Sequence, residues 1–201
     1  MTDYPEQIKQ AIASLARLPG LGPKSAERLV FYLVKNGSGP IDTLVTQLTR
    51  IRSEIRVCDQ CGNIAVQNPC HICNDSARDT TLLCIVAEPQ DITIIDKSGD
   101  FRGRYHVLGG VIDPADNMTP DKLRIASLID RIKNSTPPIR EVIIATNPDL
   151  EGESTAMYLH RQLRSLPITI SRLAKGLPMG ATIEYADEVT ISNALKGRQK
   201  M

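Results

Sequence analysis

Cysteines at positions 58, 61, 70 and 73 constrain this chain more tightly than any other feature. Cys58-x2-Cys61 is followed eight residues later by Cys70-x2-Cys73, so two tight turns present four thiolates, a donor set suited to tetrahedral zinc. Gly62, Asn63, Asn68 and Pro69 supply the turning residues that so short a connection needs. Four protein ligands leave no open position for a substrate or an activated water, which makes the expected ion structural. Disulfides would suit a secreted protein, but the opening MTDYPEQIKQ lacks the basic-then-apolar layout of an export signal. In a reducing compartment, paired Cys-x2-Cys motifs are better read as metal ligands. His71 sits inside the second motif, where it either replaces a cysteine or stands exposed between ligands. Cys84 lies in the apolar run Leu82-Leu83-Cys84-Ile85-Val86 and is expected to act as a small buried hydrophobe.

The 201 residues suffice for one domain or for several small modules, and the changing pattern along the chain favours modules. A hydrophobic content of 41% with 23% charged residues is that of a folded soluble protein, and no run approaches the roughly 18 apolar residues of a membrane helix. The expected location is the cytoplasm. The net charge of +1 hides a gradient. Lys9, Arg17, Lys24, Arg28 and Lys35 face Glu27 alone, a local surplus of +4. Such a run is either a solvated helix face or a nucleic-acid footprint, and charge alone does not decide.

Ile8, Ile12, Leu15 and Leu18 recur at helical spacing, as do Ala26, Leu29, Val30, Leu33 and Val34. Between them lies Leu18-Pro19-Gly20-Leu21-Gly22, and Pro23 suits a first helical turn, so residues 5–18 and 23–35 predict a helical hairpin. A third helix is expected after Pro40, with Leu44, Leu48, Ile51 and Ile55 on one face. Beyond the cysteines, short apolar runs alternate with amphipathic stretches, as in a mostly parallel α/β sheet. The strands are predicted at Thr81 to Glu88, Tyr105 to Gly109, Glu141 to Asn147 and Ile168 to Leu173. Helices are predicted at Gln90 to Lys97, Pro120 to Lys133 and Gly152 to Leu163. The tail from Lys175 reads as an arm ending in a short helix. The expectation is therefore an α+β multi-module chain: a helical hairpin domain (1–56), a four-cysteine zinc knuckle (57–78), an α/β domain with a mostly parallel sheet (79–176) and an arm (177–201).

The segment LPGLGPKSA resembles the helix-hairpin-helix DNA-binding motif. Gly20 and Gly22 would let the turn approach a phosphate, and N–H groups at the second helix start would hold it. Lys24 and Arg28, one turn apart, would add phosphate contacts without reading bases. The alternative is an ordinary hairpin whose glycines only make the turn.

Glu88 ends one predicted strand, and Asn147-Pro148-Asp149-Leu150-Glu151-Gly152-Glu153 follows another. Carboxylates at the carboxyl ends of parallel strands converge on the crevice where such sheets bind ligands. This looks like the Toprim domain of topoisomerases, primases and some nucleases, where a strand-end glutamate and an Asp-x-Asp pair hold magnesium. Here Asn147 occupies the first position of the pair, which removes one charge. Weak magnesium binding by Glu88, Asp149 and Glu151 stays open. A magnesium-dependent nuclease or topoisomerase-like enzyme is thus the rival reading, although no G-x-x-x-x-G-K-[ST] loop and no tyrosine in a separate domain accompany the acids.

With the hairpin LPGLGPKSAERLVFYL, the pairs CDQCGN and CHIC, the strand end IVAEPQDI, the segment YHVLGGVIDP, the loop ATNPDLEGE and the tail RLAKGLPMGATIEYADEVTISNAL in this order, the chain closely resembles the RecR family of bacterial recombination mediators. The resemblance covers essentially the whole length. It implies a non-enzymatic role in recombinational DNA repair, helping RecA load onto single-stranded DNA with RecO and, in many bacteria, RecF. It also implies a tetrameric ring able to encircle DNA, whether single-stranded, double-stranded or gapped, acting at the nucleoid. In such a mediator Glu88, Asp149, Glu151 and Glu153 would form an acidic surface for a basic partner such as RecO or RecF.

Overall fold

A computed structural model describes residues 4–198. Residues 1–3 of the expected hairpin domain and 199–201 of the expected arm lie outside the described residues. The chain divides into two compact units, residues 1–55 and 56–201.

The first unit holds α1 (Glu6–Leu15), α2 (Pro23–Lys35) and α3 (Ser38–Glu54). Ala26 and Val30 are the buried residues of α2, and the small Ala26 lets α1 approach closely. Tyr4 closes the hairpin from its far side: its ring meets Phe31 edge to face at 5.1 Å, and its hydroxyl donates to Glu27 Oε1 at 2.9 Å. The first helix ends at Leu15, not at Leu18. There the chain tightens, with the Leu18 N–H bonding back to the Leu15 carbonyl at 3.0 Å, and Leu18 is left half exposed. The third helix begins before Pro40 rather than after it. Pro40 falls in the first turn, where N–H groups have no intrahelical acceptor, so its missing donor costs nothing. The apolar face of α3 has the expected period but no residue of this helix is buried: Leu44, Leu48 and Ile51 are 45%, 55% and 57% exposed.

The second unit opens with a hairpin of β1 (Arg56–Val57) and β2 (Ile64–Ala65) and the short α4 (His71–Asn74). The sheet follows, built from β3 (Asp79–Val86), β4 (Gly103–Val107), β5 (Glu141–Ala145) and β6 (Thr169–Arg172) in the order β4-β3-β5-β6. All three pairings are parallel. The crossovers carry α5 (Pro89–Ser98), α6 (Ile125–Asn134) and α7 (Leu150–Leu163), and α8 (Glu188–Lys196) ends the arm.

Alternation along the central strand β3 explains why its sequence reads as an unbroken apolar run. Leu83 and Ile85 pack with Leu128 and Ile132 of α6 and Leu159 and Leu163 of α7. Cys84 and Val86 point the other way, into a second cluster with Ile92 of α5, Tyr105, Val107 and all four motif cysteines. A parallel sheet is buried on both faces, and here the cysteine knuckle shares with α5 the cover of the second. Cys84 is 1% exposed, as its apolar neighbours suggested.

The expected helix from Pro120 to Lys133 is two pieces. A 3-10 turn, Pro120–Lys122, gives way to an extended Leu123, and α6 starts only at Ile125. The break has a tertiary cause: Leu123 is buried in the first cluster, and the Arg124 N–H donates to the Leu108 carbonyl at 2.9 Å instead of continuing a helix.

At the start of α7 space itself is limiting, since a Cβ on Gly152 would stand 2.1 Å from the Asn147 carbonyl oxygen. Gly152→Ala is expected to lower stability by roughly 1–3 kcal/mol through this overpacking, measured as a fall in the urea or thermal midpoint.

Candidate metal centre and nucleic-acid interface

The first cysteine pair lies on the turn of the β1–β2 hairpin, where the Gly62 N–H donates to the Cys58 carbonyl and the Cys58 N–H to the Asn63 carbonyl, both at 2.8 Å. The second pair straddles α4, with Cys70 at its N-cap and Cys73 within it. All four sulfurs lie within 4.8 Å of one another, and Cys61 Sγ and Cys70 Sγ are 3.5 Å apart. The edge of a tetrahedron of sulfurs around zinc is about 3.8 Å, so this cluster fits that ion with little adjustment.

Cys58, Cys61 and Cys70 are fully buried and Cys73 is 5% exposed. Backbone donors are already aimed at two sulfurs, Asn63 N–H at Cys61 and Cys70 N–H at Cys58, each at 3.4 Å. Burial works against the Cys58 thiolate, but N–H groups of the knuckle outweigh it and bring its pKa down to about 7. The Cys61 thiol is pushed far up by its hydrogen bond to Cys73 and by burial. Four thiols alone would keep protons here, whereas a divalent cation favours four thiolates. His71 is exposed and stands between the ligands rather than among them. The zinc is structural: no position is left for a reacting group.

On the hairpin, Gly20 adopts φ +80°, a left-handed conformation that a side chain would strain, and Gly22 is the N-cap of α2. With glycine as cap and no acidic residue in the first turn, the positive end of this helix meets no carboxylate of its own. Lys24 and Arg28 are exposed beside it and share a groove of about 530 Å³ with Tyr4, Glu27 and Phe31. The sole acid of that groove, Glu27, is held by the Tyr4 hydroxyl.

The acidic residues meet at the carboxyl end of the sheet. Strands β3 and β5 are neighbours with Val86 opposite Ala145, so Glu88 and Asn147 each follow two residues beyond that pair. Glu88 is the N-cap of α5, its N–H donating to Asp91 Oδ2 at 2.8 Å. Asp149 is the N-cap of α7, where Oδ1 accepts from the Gly152 N–H at 2.8 Å. Glu151 is half-buried in the first turn of α7. Glu153 is engaged by two cations, Arg172 and Lys175, each 2.5 Å from Oε1. The hydrogen bond from Lys175, with Arg172 beside it, holds the Glu153 carboxyl below the usual range. Neither cation was legible as part of this site in the sequence, since β6 and the arm reach it only in the folded sheet. Arm residues Asp187, Val189 and Asn193 close a cavity of about 940 Å³ over the same loop. Among the described residues, the cysteines are the one group of three or more His, Cys, Asp or Glu side chains near enough to share a metal ion, and the four carboxylates form no such group.

The sequence matches the helix-hairpin-helix of RecR over residues 8–51, the four-cysteine zinc finger domain of RecR over 55–75, the Toprim domain over 81–174 and the RecR C-terminal region over 176–199. It is similar to "Recombination protein RecR" of Leifsonia xyli subsp. xyli, 46% identical over 98% of this chain and 99% of the relative. Proteins of the same name from a Mycobacterium species and from Natranaerobius thermophilus are 47% and 44% identical, covering 96% and 100% of this chain and 97% and 100% of the relatives.

Cys58→Ala is expected to lose zinc, seen as less than one ion per chain by elemental analysis, and to lower the thermal midpoint sharply, because a four-thiolate site contributes on the order of 10 kcal/mol to local folding. An unchanged midpoint would mean that the knuckle does not depend on the ion.

Proposed function

Because this chain belongs to the RecR family of recombination proteins, we propose that it is a non-enzymatic DNA clamp and adaptor of recombinational repair. In this reading it helps RecA load onto single-stranded DNA together with RecO and RecF, in the bacterial cytoplasm at the nucleoid. The observation that carries the proposal is the hairpin of the first unit. Gly20 opens the turn, the start of α2 is uncapped by any acid, and Lys24 and Arg28 flank it in the open. These are the parts of a phosphate site, and none of them reads a base.

Two further observations support the adaptor over a magnesium-dependent Toprim nuclease or topoisomerase-like enzyme. Asn147 removes a charge where that chemistry wants one, and Arg172 and Lys175, paired with Glu153 four residues beyond Asp149, bring two positive charges to the same loop and helix start. Glu88 and Glu151, with Asp149, remain as acidic features for a basic surface of RecO or RecF. Assembly into a tetrameric ring is supported by α3, whose stripe of Leu44, Leu48 and Ile51 has no cover within its own unit.

The double substitution Lys24→Glu with Arg28→Glu is expected to abolish most binding to labelled gapped DNA on a native gel while zinc content and assembly stay unchanged. Undiminished affinity in the folded variant would overturn the phosphate-site assignment. Wild-type binding should weaken steeply with salt, since each phosphate contact releases counterions. The adaptor reading predicts that the same DNA stays intact on a denaturing gel after incubation with magnesium or manganese. Cleavage abolished by Glu88→Ala would move the protein into the enzyme class.

A further inference from the structure

We propose that Arg124 and Arg131 belong to the metal site: their two guanidiniums, outside the cysteine motif, offset the charge of zinc held by four thiolates and so slow its release. Zinc with four thiolate ligands carries a net charge of about −2, and a buried charge is costly unless something opposite stands near it. Residues 57–75 contain no lysine or arginine, and Arg78 just beyond them is paired with Asp96.

The two arginines are placed to supply it. Asp59 and Gln60 are the residues between Cys58 and Cys61. Arg124 Nη2 donates to the Asp59 carbonyl at 3.0 Å, and Arg131 Nη1 donates to the Gln60 carbonyl at 3.3 Å and to the Tyr105 carbonyl of β4 at 2.7 Å. Gly62 clears the way, since a Cβ there would stand 2.9 Å from Arg124 Nε. Both side chains are thus laid against the first ligand loop.

Neither arginine is matched by a carboxylate. Among the described residues no ion pair includes Arg124 or Arg131. Asp59 and Asp130 line the cleft that holds Arg131, yet the Asp59 carboxylate is taken by the Asn68 amide. Arg131 is half-buried with only neutral carbonyl acceptors, and the Arg124 Nε is buried without any. Two half-buried cations without an ion-pair partner thus lie against the loop that would carry a dianionic centre.

The same contacts join the ion to the sheet. Beside the Arg131 bond to Tyr105, the Val107 N–H donates to the Cys61 carbonyl at 2.7 Å, so β4 and the ligand loop are held together at two points. Arg124 and Arg131 are positioning residues for the metal, acting through charge and through the loop that presents Cys58 and Cys61.

The test compares charge with hydrogen bonding. Arg131→Gln keeps an amide donor but loses the charge, whereas Arg131→Lys keeps the charge. Zinc release from the full-length protein into excess chromophoric chelator is timed at low and high salt. Outer-shell partners typically change metal affinity 10- to 100-fold, so Arg131→Gln should release zinc about tenfold faster or more. Arg131→Lys should stay close to the parent rate, and the gap should narrow as salt screens the charge. Equal rates for the two variants would overturn the proposal and leave the arginines as backbone ties only. Should Arg131→Gln fail to fold by circular dichroism, Arg124→Gln, which removes the donor to the Asp59 carbonyl, is compared with Arg124→Lys, with the same expectation and the same overturning result.

Discussion

Four sulfurs within 4.8 Å of one another in a dry interior cannot all be anionic without a cation, and the rest of the second unit is arranged around that demand. The knuckle does not hang on the sheet as a separate bead. Its cysteines share one apolar cluster with Cys84, Val86, Tyr105 and Val107, so the metal site replaces a helix as cover for part of the sheet. A parallel sheet with one open face would expose a continuous apolar surface, and here the knuckle and α5 together cover it. Arg78 extends the same logic at the edge of the knuckle. Its guanidinium grips both carboxylate oxygens of Asp96 on α5, at 2.7 and 2.9 Å, and lies 5.9 Å from the centre of the Tyr105 ring.

At the carboxyl end of the sheet, the placement of the backbone and the use of the side chains are separate matters. Strand order and register place Glu88 and the 147–153 loop side by side, as a metal-binding sheet would. The side chains are then committed elsewhere: Asp149 to capping α7, and Glu153 to Arg172 and Lys175.

The first unit spends its few buried residues on the hairpin and leaves α3 uncovered. Ala26 and Val30, with Tyr4 clamped on Phe31 and Glu27, hold the turn that presents Gly20, Lys24 and Arg28. With Gly22 as N-cap and no side chain capping it, the first N–H groups of α2 keep no intrahelical partner.

The sequence by itself determined those features whose physics is local. Cysteine spacing specified the zinc site, since two tight turns suffice to bring four sulfurs together. The 3.6-residue period and Pro23 located the hairpin helices, and the apolar runs located every strand of the sheet to within about two residues. Tertiary structure alone decided what depended on distant partners. The helix expected from Pro120 was interrupted at Leu123 because the core and the Leu108 carbonyl offered that residue and Arg124 better contacts than a helix did. Glu153 became a neutralised acid because Arg172 and Lys175 arrive from 19 and 22 residues downstream. The arginines laid against the Cys58–Cys61 loop come from α6 and its start, more than sixty residues away, and no pattern within a window could have announced them. Periodicity records which face of an element is buried, but only the packed sheet determines which charges then face each other.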